Sequence, residues 1–170
     1  MHTVNRRGLY MLMLAAVLLH LTVLHRVRIF GASPDLVSAL VIFFALFCGP
    51  KKGLEAGLAG GLLKDLFSAD IFGVNMLVLG ITGLTVGALN AKFFKESRTT
   101  QFYIVLIFVF LSMAFHFKIS VLAAELHGIA FSDYLMHSIV PSGLYTALVS
   151  IPIFSKLIAV YGLREPDDLL

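Results

Sequence analysis

The sequence predicts an all-α integral membrane protein of about six transmembrane helices in one bundle, and three observations support this. Of its 170 residues, 59% are apolar and only 14% charged, whereas a soluble domain averages about half apolar and a quarter charged. The apolar residues gather in long runs broken by short charged knots, and the mean hydropathy is +0.94. A lipid core about 30 Å thick takes roughly 20 such residues per helical pass. Finally, no connecting segment exceeds roughly a dozen residues, so the chain reads as a single polytopic membrane domain over 1–170 without a linker or tandem repeat.

The first span covers about Leu9 to Leu24. Arg6 and Arg7 precede it, and His25, Arg26, Val27 and Arg28 follow where a signal peptide would carry small residues, so it reads as a retained span. The second, Leu36 to Cys48, is led in by Pro34 and Asp35, left through Gly49 and Pro50, and short for a crossing. The third, Gly53 to about Phe67, is Gly-rich and carries Glu55, Lys64 and Asp65, which calls for shielding from lipid by its neighbours. A re-entrant pair formed by these two short spans is the alternative layout. The fourth runs from about Phe72 to Leu89 and the fifth from Gln101 to about Ala124. The sixth, about Tyr134 to Tyr161, contains Pro141 and Pro152, where a missing backbone donor predicts a kink.

Loop charges set the orientation. With alternate loops assigned to opposite sides, Arg6, Arg7, Lys51, Lys52, Lys92, Lys95, Arg98 and Arg164 share one side, and only Arg26 and Arg28 take the other. Both termini are then cytoplasmic. The net charge of +3 follows from this topology, because the basic residues flank apolar runs and form no contiguous patch for nucleic acid.

Gly53, Gly57 and Gly61 recur every four residues, with Asp65 four further on, and Gly83 and Gly87 repeat the spacing in the fourth span. Missing side chains on one face let another backbone approach, the small-xxx-small device of helix packing in lipid. The stripe predicts either intramolecular packing or a docking face for a partner helix.

The stretch Gly57 to Asn75 (GLAGGLLKDLFSADIFGVN) resembles the bacterial rod shape-determining MreD family. The pattern is a Gly-rich helix ending in Gly-Leu-x-x-Asp-Leu, then a Ser-containing turn and a Gly that opens the next span. Here these are Gly61, Leu62, Asp65, Leu66, Ser68 and Gly73. Pro34-Asp35, Gly49-Pro50 and Pro141-Ser142 support the resemblance; Ala69-Asp70 in the turn and Tyr145-Thr146 in the last span depart from it. The resemblance implies a non-catalytic scaffold subunit of the cell-elongation and lateral-wall peptidoglycan machinery in the bacterial inner membrane. Its implied partners are an MreC-like membrane protein, an MreB-like filament, RodA and penicillin-binding synthases. The family's fold is similar to the six-helix substrate-binding subunits of energy-coupling-factor transporters, so a vitamin-binding transporter subunit is the alternative reading.

An ionised side chain at the bilayer centre costs about 2.5–3.5 kcal/mol on insertion scales, so each one calls for a partner, an interface or a function. Glu55 follows Lys51 and Lys52 by helical spacing and predicts a local pair. Asp65 lies twelve residues beyond Gly53, roughly 18 Å along the helix, in the outer half. Lys118 reaches the same depth on the fifth span, with Glu125 seven residues on. The expectation is an intramembrane polar cluster of Asp65, Lys118 and Glu125, with Lys64 snorkelling outward.

No catalytic residue, cofactor or metal is predicted. Cys48 is the sole cysteine, the six histidines lack zinc spacing, and neither a nucleophile motif nor a phosphate-binding Gly loop is present. An intramembrane enzyme acting on a lipid carrier would need paired carboxylates at one depth, for which only Asp65 and Glu125 qualify.

Overall fold

The structure, a computed structural model, describes residues 6–20, 22, 33–67, 71–90, 97–122 and 131–162. Glu125, the Ser68-Ala69-Asp70 turn, and Lys92, Lys95 and Arg164 lie outside the described residues. Among the described residues six helices follow one another: α1 (Arg6–Leu19), α2 (Leu36–Cys48), α3 (Pro50–Phe67), α4 (Val74–Leu89), α5 (Arg98–Leu122) and α6 (Phe131–Tyr161). No strand occurs among the described residues.

The short helix α2 is the axis of the bundle. Its sequence, LVSALVIFFALFC, is apolar all round, a pattern that belongs to an element surrounded on every side. Every residue from Leu36 to Leu46 is buried, and all five other helices pack against it. At 1.5 Å per residue its 13 residues span about 20 Å, less than the hydrocarbon thickness. A helix enclosed by protein need not match that thickness, because its ends meet side chains of its neighbours instead of lipid. Phe43 shows the packing: its ring centroid lies 4.9 Å from that of Phe47 and 5.2 Å from that of Phe154 on α6. Helix α1 covers one side through Leu9, Met13, Ala16 and Val17, a stripe at helical spacing, while Met11, Leu14 and Leu18 on its other face stay exposed.

Between α2 and α3 stands a single residue. Gly49 takes φ +85, its N–H donates to the Ala45 carbonyl at 3.2 Å, and Pro50 opens α3. Left-handed backbone is easiest for glycine, and a proline in the first helical turn gives up no needed donor, so the Gly-Pro pair makes the reversal compact.

Helices α3 and α4 form the closest pair in the molecule. A Cβ placed on Gly53 would overlap the Gly83 carbonyl and stand 2.7 Å from Ala45 Cβ. One on Gly57 would overlap the Leu79 carbonyl and stand 2.8 Å from Gly80 Cα, and one on Gly61 would stand 2.6 Å from Met76 N. At the far end, Gly87 meets Pro50 in the same way. The register is antiparallel and backbone lies on backbone along its whole length. The glycine stripe is therefore filled by α4 of the same chain; of the two uses its spacing allows, this structure realises intramolecular packing. Gly73 differs from the others, since it caps α4 at φ +96 and an added Cβ would meet nothing within 4 Å.

Among the described residues, α5 and α6 are the two helices long and apolar enough to cross a membrane alone, over Arg98–Ile119 and Phe131–Tyr161. In α6 the disturbance expected at Pro141 takes the form of a π-helical turn, Leu135–Ile139, just ahead of it. The proline ring crowds the carbonyl four residues back, and a wider turn makes room. Pro152 sits inside regular helix on an exposed face.

Candidate functional site

Three helix ends converge inside the bundle: the start of α2, the last turn of α3 and the first turn of α4. Unsatisfied backbone groups gather at such ends, and in a membrane they must find partners within the protein. Asp35 caps α2. Its Oδ1 accepts from Ser38 N at 3.1 Å and its Oδ2 from the Ser38 hydroxyl at 2.7 Å, while its own backbone N–H donates to the Thr146 hydroxyl of α6 at 2.8 Å. Thr146 in turn donates to the Ser142 carbonyl one turn back. Helix α2 is thus tied to the middle of α6 at its N-cap.

Lys64 of α3 completes this corner, with Nζ 2.8 Å from Asp35 Oδ2. The side chains keep only 23% and 9% of their exposure, so the pair is largely screened from solvent. Lys64 therefore points inward to an acid on α2, a correction to the outward snorkelling expected of it.

Asp65, the next residue, is buried and serves α4 instead. Its Oδ1 accepts from Asn75 N at 3.1 Å and Asn75 Nδ2 at 3.0 Å, and its Oδ2 accepts from Met76 N at 2.9 Å. A carboxylate over the first N–H groups of a helix satisfies orphan donors and faces the positive end of the helix dipole. Gly73, at the formal cap position, has no side chain for this task, and Asp65 supplies it from the adjacent helix.

Of the expected cluster of Asp65, Lys118 and Glu125, the Asp65–Lys118 pairing is not formed. Both oxygens of Asp65 are engaged by α4, and Lys118 is exposed beside Phe117, Val121, Leu122 and Phe131. Glu125 lies outside the described residues. The acid that sequence reasoning missed is Asp35. Its signal was present in the Pro-Asp lead-in to an apolar run, with Ser38 at the spacing of a capping pair.

Above these caps lies a chamber of about 180 Å³ that draws Asp35 and Ser38 from α2, Lys64 from α3, Asn75, Val78 and Leu79 from α4, Ser112, Met113 and His116 from α5 and Tyr134 from α6. The Tyr134 ring stacks on Phe117 at 4.6 Å. A buried hydroxyl pair, Thr82 with Ser112 at 2.7 Å, joins α4 to α5 at its side. Among the described residues no three His, Cys, Asp or Glu side chains converge as a metal cage would require. At the opposite end of the bundle, Glu55 pairs with Lys52 at 2.9 Å and accepts from the Tyr10 hydroxyl at 2.8 Å, the local pairing its spacing predicts.

A family model for rod shape-determining protein MreD matches residues 4–161, which include every helix and every residue of the chamber. The chain belongs to the MreD family. It is thereby a membrane protein of the machinery that determines rod shape, and the family is one of shape-determining proteins, not of known enzymes. No curated protein and no solved structure matches the chain. The expected similarity to energy-coupling-factor transporter subunits thus has no support. The chamber is also smaller than the roughly 300–1,000 Å³ of pockets that enclose drug-sized molecules.

Proposed function

We propose that this MreD-family chain is a non-catalytic scaffold subunit of the bacterial cell-elongation complex, a multi-pass domain of the cytoplasmic membrane with both termini on the cytoplasmic side. In this reading it holds the transmembrane helices of an MreC-like protein, and through it RodA and penicillin-binding synthases, in register with an MreB-like filament. The family match over residues 4–161 carries the proposal. The bonding of the interior favours it: the carboxylates of Asp35 and Asp65 are both engaged in capping and holding helices, the arrangement of a rigid frame.

A scaffold of this kind works by presenting fixed outer faces. Exposed stripes at helical spacing, such as Tyr103, Ile107 and Leu111 on α5, are available for partner helices. The basic side, where Lys51 is exposed beside the Lys52–Glu55 pair, is placed to meet anionic lipid or the filament. The test is affinity purification of the tagged chain from native membranes, with depletion followed by microscopy. Retention of an MreC-like protein with the wall synthases and rounding of depleted cells are the expected results. Rods that persist after depletion would remove the reading.

A further inference from the structure

Beside the chamber, α4 and α5 part to leave a groove of about 240 Å³. Its walls are apolar, with Ile81, Leu111 and Phe115 each about half exposed. Chamber and groove share two lining residues, Val78 and Ser112, so one opens beside the other. Their order along the helices matters. The chamber takes Asn75 from the start of α4 and His116 from α5, and the groove continues to Thr85 and Phe108, one helix ascending as the other descends. From Val78 to Thr85 is about 10 Å of helix rise. Polar groups therefore lie at the α3–α4 turn end, and an apolar trough leads from them toward the other end of the hairpin, the polarity order of a lipid lying in one leaflet.

The chamber chemistry narrows the head group. Asp35 and Lys64 put one negative and one positive charge side by side, both largely screened from solvent. A purely anionic head would be attracted by Lys64 and repelled by Asp35 in similar measure. A head group bearing both a phosphate and a primary ammonium complements the pair: the Lys64 ammonium and the second Nδ2–H of Asn75 offer donors to the phosphate, and Asp35 accepts from the ammonium. Size agrees, since a cavity of about 150 Å³ accepts a six-atom ring and an ethanolamine phosphate is only slightly larger.

We propose that the chamber and groove form one binding site for an aminophospholipid, with the ethanolamine phosphate head in the chamber against the Asp35–Lys64 pair and one acyl chain along α4 and α5. This site does not rest on the scaffold reading, and its groove takes Leu111 from the exposed α5 stripe named there, so lipid affinity is read on the isolated chain. The test is native mass spectrometry of the delipidated full chain in detergent, titrated with dioleoyl phosphatidylethanolamine, phosphatidylglycerol, phosphatidylcholine and soluble phosphoethanolamine. The ethanolamine lipid is expected to bind at least tenfold more tightly than each of the other three. Leu111→Trp, which fills the exposed groove, is expected to weaken it at least tenfold with an unchanged melting temperature. Asp35→Asn with Lys64→Met is expected to bring ethanolamine and glycerol lipids to equal affinity. Equal affinity of the wild type for the three lipids, soluble phosphoethanolamine binding as tightly as the lipid, or full binding by Leu111→Trp would each overturn the assignment.

Discussion

Lys64 and Asp65 are adjacent in sequence and serve different helices, and each position has its own expected response to mutation. Lys64→Met strands the Asp35 carboxylate in a screened corner, a loss on the order of 3–5 kcal/mol for a buried pair with one partner removed. Asp35→Asn in the same chain removes the stranded charge, so the double variant should recover most of that loss in chemical unfolding in detergent. A double variant no more stable than Lys64→Met would show that the pair is not coupled. Asp65→Ala removes the acceptor of three bonds to Asn75 and Met76, and is expected to cost about 2–3 kcal/mol, since the freed N–H groups have no water to turn to. Asp65→Asn keeps one carbonyl oxygen and should fall between Asp65→Ala and the wild type. The chain itself marked Asp65 as special, being an acid inside an apolar span. It could not name the partner, because two of the three donors that hold it, the Asn75 and Met76 N–H groups, are backbone and carry no signature in sequence. Lys118 drew attention by depth alone, and depth along a helix does not say which face a side chain takes.

Among the elements, the α3–α4 hairpin was the most legible. A repeat of glycines at every fourth position states that a backbone will lie there, and Gly83 and Gly87 state where on the other helix. The choice between an internal and an external occupant was not legible, since it depends on the turn bringing α4 back antiparallel. Gly57→Ala is expected to force the helices apart at Leu79 and Gly80 and to destabilise by about 1–3 kcal/mol, the range of an overpacked core. Gly57→Leu should prevent hairpin closure and show as loss of folded protein in fluorescence-detected size exclusion. Gly73→Ala offers the control: nothing stands in its way, and only left-handed backbone opposes it, for roughly 1–2 kcal/mol. If Gly57→Ala proves milder than Gly73→Ala, the close approach of α3 to α4 is not what the glycines provide. The length of α2 was also readable, but not its full enclosure, which depends on all five neighbours at once.

For the whole molecule, in the scaffold reading proposed above, internal use of the glycine stripe moves partner binding to other surfaces. A stripe that gripped a partner helix would lose that partner when Gly57 is enlarged, while the chain itself remained folded. A stripe closed by α4 behaves otherwise: partner and folded chain should fall together, and the amount of MreC-like protein retained per folded chain should stay constant. Quantitative co-purification from native membranes, with Gly57→Ala beside wild type and the retained partner normalised to folded chain, separates the two. The same measurement on Ile107→Trp, in the exposed stripe of α5, should show the reverse pattern if α5 carries the contact, with folded chain unchanged and retained partner reduced several-fold. Exposed lipid-facing positions tolerate size changes because lipid yields, whereas a partner helix packed there does not. A retained-partner ratio that falls for Gly57→Ala and holds for Ile107→Trp would return the glycines to the role of a docking face and require α4 to leave them in the assembled complex.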